Sequence, residues 1–208
     1  MTRKRLADGR REELLDGVMR IIATRGFSDV RVIDLAAELH CSVASLYKIA
    51  PSKDSLVHLA IVQWGDRTLN EIEEQSQRST DPAERARAYF QAGARRLRPL
   101  SPKFREDVER FDSPRLVWRT IVDTWIDRFV GLLDAAVAAG EVRPVNTLFL
   151  AHVLRQIGLV TRDERVLGLS GLNAEQAVLE VDALVWEGIR SRDSLSVSTS
   201  ASTTQPPA

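Results

Sequence analysis

The sequence predicts an all-α protein, with an N-terminal three-helix helix-turn-helix domain and a larger helical domain after it. Three observations carry this. Apolar residues recur at intervals of three and four from Leu14 to Val185, the periodicity of helices with a buried face. Nowhere do strand-like alternations gather, and no internal repeat stands out. The interruptions have the chemistry of helix ends, with glycine closing runs and Asp-Pro or Ser-Pro pairs opening them. A chain of 208 residues is long enough for one or two domains and a sizeable core.

The first helix is expected over residues 10–25, with Leu14, Leu15, Val18, Ile21 and Ile22 as its buried stripe. Gly26 ends it by supplying left-handed backbone, and Phe27 turns back into the core. Next comes an amphipathic run in which Val32, Leu35, Ala36 and Leu39 share a face. His40, Cys41 and Ser42 interrupt it, and a short run over 43–49 follows, stopped by Pro51. Ser42 is a good N-cap for that run, because its hydroxyl can accept from free backbone N–H groups. Two short helices joined by a tight turn make a helix-turn-helix, whose second helix can enter a DNA major groove.

A long helix is expected from Lys53 to about Gln77, and another over 82–98, opened by Asp81 and Pro82. A shorter one follows over 102–111. Asp112-Ser113-Pro114 then starts a helix over 114–139 as cap and first position. Trp118, Val122, Trp125, Phe129 and Leu132 lie along it at spacings of four, three, four and three. Residues 147–161 and 174–190 make two more helices. The first is apolar nearly all round, so it must be covered on several sides, and a partner subunit is a natural cover. The second carries Val178, Val181, Leu184 and Val185 on one side. Residues 191–208 are Ser/Thr/Pro-rich and read as disordered.

Four ordered, evenly spaced blocks in the first sixty residues resemble the N-terminal domain of the TetR family of transcriptional regulators. They are Ile22-Ala23-Thr24-Arg25-Gly26-Phe27, Val32-Ile33-Asp34-Leu35-Ala36, Ser42-Val43-Ala44-Ser45-Leu46-Tyr47 and Pro51-Ser52-Lys53-Asp54-Ser55-Leu56. The resemblance covers about a quarter of the chain and is more specific than a bare helix-turn-helix. It implies a basic arm at 1–11, a DNA-binding domain at 12–55 and a ligand-binding and dimerisation domain at 56–190. It further implies a homodimer on a near-palindromic double-stranded operator, released by a small-molecule effector. The helix after Lys53 would carry the signal, and the segment 140–146 resembles the family's connector before the penultimate helix.

Carried over by residue, the resemblance points Val43, Ala44 and Ser45 at bases and Tyr47 and Lys53 at phosphates. A phenol can donate to a phosphate oxygen, an ammonium supplies a point charge, and Val43 and Ala44 can pack on thymine methyl groups. Arg31, Val32, Ser42 and Lys48 complete the candidate DNA surface. The alternative is that Tyr47 and Lys53 merely cap a surface helix. The effector would be lined by Trp64, Phe90, Trp118, Val122, Trp125 and Phe129, an apolar and aromatic set that can equally be plain core. The dimer face would draw on Val153, Leu154, Ile157, Val178, Val181, Leu184 and Val185.

The chain departs from the family pattern at three places. His40 stands where members usually have glycine, Ala50 where an aromatic is usual, and Arg31 where threonine or serine starts the second helix. Histidine tolerates positive φ better than most side chains, and Arg31 can reach a phosphate or a base edge though it cannot cap through a hydroxyl. Loss of the aromatic thins the small core unless Ile49 or another residue refills it.

Formal charge balances to zero, with the excess local. Residues 1–11 carry Arg3, Lys4, Arg5, Arg10 and Arg11 against Asp8 alone, a net of +4 beside the helix-turn-helix. A solvated, frayed terminus is the bland reading of the same charges. One cysteine excludes an internal disulfide, and Cys41 with His40 is too few ligands for a metal. There is no signal-peptide pattern and no uncharged run of membrane-spanning length, so a cytoplasmic location is expected. No nucleophile–histidine–acid set or phosphate-binding glycine loop is present, so neither enzymatic activity nor a cofactor is expected. A helical protein that sequesters a ligand or partner without specific DNA binding, and an enzyme built on a bundle, remain the rival classes.

Overall fold

The stripe of the first helix is buried as its spacing requires: Leu15, Val18 and Ile22 are each no more than 1% exposed. A computed structural model describes residues 2–160 and 163–190, with side chains before Gly9 outside the described set. Ten helices follow one another in these residues: α1 (Thr2–Arg25), α2 (Val32–Glu38), α3 (Val43–Ile49), α4 (Lys53–Ser76), α5 (Pro82–Leu97), α6 (Pro102–Arg110), α7 (Asp112–Ala138), α8 (Thr147–Val160), α9 (Glu164–Ser170) and α10 (Ala174–Ile189). No strand occurs among the described residues, only an isolated antiparallel bridge between Val142 and Arg190. The tail expected at 191–208 lies outside them.

Two helix starts and one additional helix differ from the sequence reading. Helix α1 starts at Thr2 rather than residue 10, so the basic segment is helical over 2–11. Residues 3–7 contain good helix formers and no proline, and Gly9 costs only about 1 kcal/mol relative to alanine. Helix α7 starts at Asp112, which places Pro114 within the first turn, where its missing N–H has no partner to lose. Helix α9 was not anticipated. Its ends are nonetheless conventional: the Asp163 carboxylate accepts from Arg165 and Val166 N–H at 2.9 and 3.2 Å, and Gly171 is left-handed at φ 68°.

The chain divides into two compact units, one of residues 1–71 and 96–124 and the other of 72–95 and 125–208. In the first unit, α1 to α3 and the start of α4 bury Leu15, Val18, Ile22, Leu35, Leu46 and Ile61 together with Phe104 and Val108 of α6. Aromatic rings extend this core: Phe27 lies 6.1 Å from Phe104, Phe104 lies 5.8 Å from Trp118, and Trp118 stacks on Trp64 at 5.6 Å. Ala50, the small residue in an aromatic's usual place, is itself buried, with Ile49 packed against the same core.

In the second unit, Tyr89, Phe90, Trp125 and Phe129 pack ring on ring at 5.1–6.0 Å for the three contacts Tyr89–Trp125, Phe90–Phe129 and Trp125–Phe129. Trp125 also crosses Gly93 so closely that a Cβ there would come within 2.6 Å of its indole nitrogen. The connector is pinned at both ends. Glu141 accepts from Ala83 N–H at 3.0 Å, and Arg143 N–H donates to Ile189 O at 2.9 Å. The fully buried Asp182 is held by Arg87, whose Nε donates at 2.9 Å.

Candidate nucleic-acid interface

The turn between α2 and α3 shows how the sequence builds a helix-turn-helix without its usual glycine. His40 takes φ 50°, its N–H donates to Ala37 O at 3.2 Å, and Cys41 N–H donates to Ala36 O at 2.9 Å. These are the paired bonds of a Schellman helix end, with His40 at the left-handed position. Histidine is among the side chains enriched there, although glycine would carry no steric cost. Cys41 lies half-buried against the core as a small apolar plug.

Helix α3 starts where expected. Ser42 Oγ accepts from Ser45 N–H at 3.1 Å and pairs with Ser45 Oγ at 2.8 Å, so both hydroxyls are engaged locally. Leu46 is fully buried and anchors the helix, while Val43 is half-buried against the core. Ala44, Tyr47 and Lys48, at i, i+3 and i+4, form the exposed face, with Tyr47 49% exposed. Of the residues assigned to bases, Ala44 is therefore the freest, and Val43 and Ser45 offer less surface.

Arg31 and Lys53 flank this face, and both are already engaged. Arg31 caps α2 without a hydroxyl: Asp34 accepts its backbone N–H at 3.2 Å, and its guanidinium clasps Asp34 at 2.9 and 2.8 Å. That hydrogen bond raises the Arg31 pKa and holds the Asp34 carboxyl below the usual aspartate range. Reaching a phosphate would require Arg31 to leave Asp34. Val32 is half-buried beneath it. Lys53 is half-buried, and its ammonium donates to Ser28 O at 2.9 Å. Arg10 and Arg11 are exposed on α1, Arg10 pairing with Glu13 at 3.0 Å.

Residues 14–60 match the family model described as bacterial regulatory proteins, tetR family. The N-terminal domain is a TetR-family domain. A comparison with curated proteins found no match. Among solved structures, the chain resembles a putative transcriptional regulator from Saccharomonospora viridis in complex with choline at 18% identity and TM-score 0.77, over 89% of this chain and 100% of that one. It resembles a TetR-family regulator from Agrobacterium tumefaciens at 18% identity and TM-score 0.71, over 89% and 100%. It also resembles the ketosteroid transcriptional regulator KstR2 of Mycobacterium tuberculosis at 21% identity and TM-score 0.63, over 88% and 96%. At these identities the likeness extends the TetR-type fold to the helices beyond residue 60.

The six residues expected to line an effector site fall into two groups, one in each unit. In the first unit, Trp64 and Trp118 stack on each other and Val122 is half-buried. Trp64 also lines a cavity of about 340 Å³ with Met19, Ala23, Arg67, Thr68, Arg96 and Leu100. Two of the arginines there are paired, Arg67 with Asp16 and Glu12 and Arg96 with Glu71. In the second unit, Phe90 and Phe129 are buried and Trp125 is half-buried in the aromatic cluster. Sequence spacing did not include Tyr89. It is fully buried with its hydroxyl unpartnered, and burial raises its pKa far above the usual phenol value.

The candidate dimer face needs one correction. Leu154 is fully buried with Ala151 on the inward face of α8, so it belongs to the subunit core and cannot meet a partner. The outward face of α8 instead carries Leu148, Phe149 and Val160, at 53%, 70% and 51% exposure, with Val153 and Ile157 half-buried at its margin. On α10, Leu184 is 71% exposed, whereas Val178, Val181 and Val185 are half-buried. Leu179, which spacing had not selected, joins Leu184 on the exposed arc. Among the described residues, no cluster of three or more His, Cys, Asp or Glu side chains is placed to hold a metal, and no helix is long and apolar enough to cross a membrane.

Proposed function

We propose that the protein is a dimeric transcriptional repressor of the TetR type, acting in the cytoplasm and released from its operator by a small, largely apolar effector. The observation that carries this reading is the exposed Ala44–Tyr47–Lys48 face of α3, set in a helix-turn-helix matched by the family model. The segment 12–55 is the DNA-binding part and 56–190 the effector and dimer part. Ala44 meets bases, Tyr47 and Lys53 meet phosphates, and Arg31, Val32, Ser42, Val43, Ser45 and Lys48 border the contact. In a dimer the two α3 helices enter successive major grooves about 34–36 Å apart on a near-palindromic site.

The exposed apolar surfaces of α8 and α10 support a second copy of this chain as partner, since leucines and a phenylalanine half or more exposed on these helices gain from being covered. The solved relatives include one with choline and one described as a ketosteroid regulator, so likeness of fold does not choose the effector. Its character is argued from this chain's own aromatic clusters, Trp64 with Trp118 and Phe90 with Trp125 and Phe129. Release requires the effector to bind the DNA-incompetent conformation better than the competent one, and DNA must weaken effector binding by the same factor.

Tyr47→Phe combined with Lys53→Ala tests the DNA assignment. Operator affinity is expected to fall at least tenfold for each charge-assisted hydrogen bond lost, and each subunit loses two. The slope of log K against log salt is expected to shallow by about 1.8, the share of two released counterions, one for the Lys53 of each subunit. Unchanged affinity and slope would show that these side chains only finish a surface helix.

A further inference from the structure

Asp107 lies in α6, far in sequence from the helix-turn-helix, and its side chain is fully buried. Its Oδ2 accepts the N–H of Phe27 at 2.6 Å and that of Ser28 at 2.8 Å, and its Oδ1 faces the Lys103 ammonium at 3.1 Å. The acceptor sits where a side chain on residue 26 would be: a Cβ on Gly26, at φ 74°, would come within 2.5 Å of Oδ2. One carboxylate thus closes the turn that ends α1. A buried ion pair is a poor device for stability alone, because desolvation cancels much of its Coulomb gain. What it does supply is a fixed turn, with two consecutive peptides held by one carboxylate.

Ser28 is held on both sides of its Cα. The N–H of Ser28 is held by Asp107, and its carbonyl oxygen accepts from the Lys53 ammonium at 2.9 Å. An ammonium has three donors, so two of Lys53's remain for a phosphate. We infer that Asp107 is a positioning residue for DNA binding: by holding the 26–27 and 27–28 peptides it places residue 28, whose carbonyl pre-orders the Lys53 ammonium. The inference rests on the DNA-binding reading above. Its energetic content is the entropy that an unrestrained lysine would lose on docking. Immobilising such a side chain costs about 0.5–1.5 kcal/mol, a factor of roughly two to twelve in affinity.

The test is a double-mutant cycle on a DNA fragment selected by the wild-type protein from a random pool. Affinity and salt slope are measured for wild type, Asp107→Asn, Lys53→Met and the double variant, each checked for a cooperative melt. Asp107→Asn is expected to weaken binding about threefold to tenfold with its slope retained. Lys53→Met is expected to weaken it and, with one lysine lost from each subunit of the dimer, shallow the slope by about 1.8. The double variant should match Lys53→Met within a factor of about two. A full additional loss from Asp107→Asn in the Lys53→Met background would overturn the inference, as would no loss from Asp107→Asn alone. Lys103→Met leaves both amide bonds to the carboxylate in place and serves if Asp107→Asn does not fold. Wild-type affinity is expected from it, and a tenfold loss would assign the effect to the ion pair instead of the turn. Failure of the wild type to select any DNA would sink the DNA-binding reading itself, before any variant is compared.

Discussion

Asp107→Ala is expected to destabilise the first unit by about 3–5 kcal/mol, the loss of two backbone hydrogen bonds to a buried charged acceptor. Alanine leaves the Phe27 and Ser28 N–H groups without their acceptor and Lys103 with the more distant Glu106, at 3.7 Å, as counter-ion. For a chain of this size that corresponds to a fall in melting temperature on the order of 10 °C. Hydrogen exchange at the buried amides of α1 reads the effect in the unit that contains it. The gap between wild type and variant also depends on pH. Burial pushes the Asp107 pKa up, but the N–H groups of Ser28 and Phe27 and the Lys103 ammonium outweigh it, and the folded value lies below 3.8. A depressed carboxyl pKa contributes stability above the unfolded value that is lost as pH falls through the folded one. The gap is therefore expected to be complete at neutral pH and to shrink only below 3.8. A gap that persists undiminished into strong acid would mean that shape, not charge, holds the turn.

Arg87→Met is expected to cost the second unit about 3 kcal/mol. Asp182 is 2% exposed and Arg87 reaches its Oδ2 with two nitrogens, so methionine strands a buried carboxylate. The partial exposure of Arg87, 34% for its side chain, lets water relieve some of that cost. Replacing both residues, Arg87→Met with Asp182→Leu, is expected to recover most of the loss, because a matched apolar pair carries no desolvation penalty. Chemical denaturation of the single and double variants measures this, and a double variant no better than the single would locate the fault in packing.

Much of the fold was legible because local chemistry determines it. Helical spacing, Ser42 as cap and Pro51 as stop define α3, and the tolerance of histidine for left-handed backbone let the turn at His40 be read without glycine. Where the reading slipped, the deciding interactions lay elsewhere in the chain or the element was short. Helix α9 has seven residues, too few for a clear period, although Asp163 and Gly171 marked its ends. Leu154 could not be separated from its exposed neighbours because α8 is apolar all round and only packing tells its faces apart. Asp107 was passed over as one charge among many in α6. The available signal was its place beside Phe104 and Val108, at i+3 and i−1, on the buried stripe. Its partners lie some eighty residues away, at |i−j| of 80 and 79, beyond the reach of any local pattern.

In the candidate site, residue types were legible and their engagements were not. Lys53 was read as a phosphate ligand, but its bond to Ser28 depends on how the end of α1 meets α4. Arg31 was read as free to reach DNA, whereas the clasp on Asp34 three residues on is visible only once the side chains are placed.

The central claim is sequence-specific DNA recognition by α3, and one measurement tests it most directly. The purified full-length protein is titrated against DNA selected from a genomic fragment pool and against scrambled DNA of equal length and composition, across a salt series. The account predicts selected-site affinity at least a thousandfold above the scrambled control, about the lower limit for specific binders, with a steep salt slope on both. Weak binding that ignores sequence, with the protein folded and the pool exhausted, would contradict it.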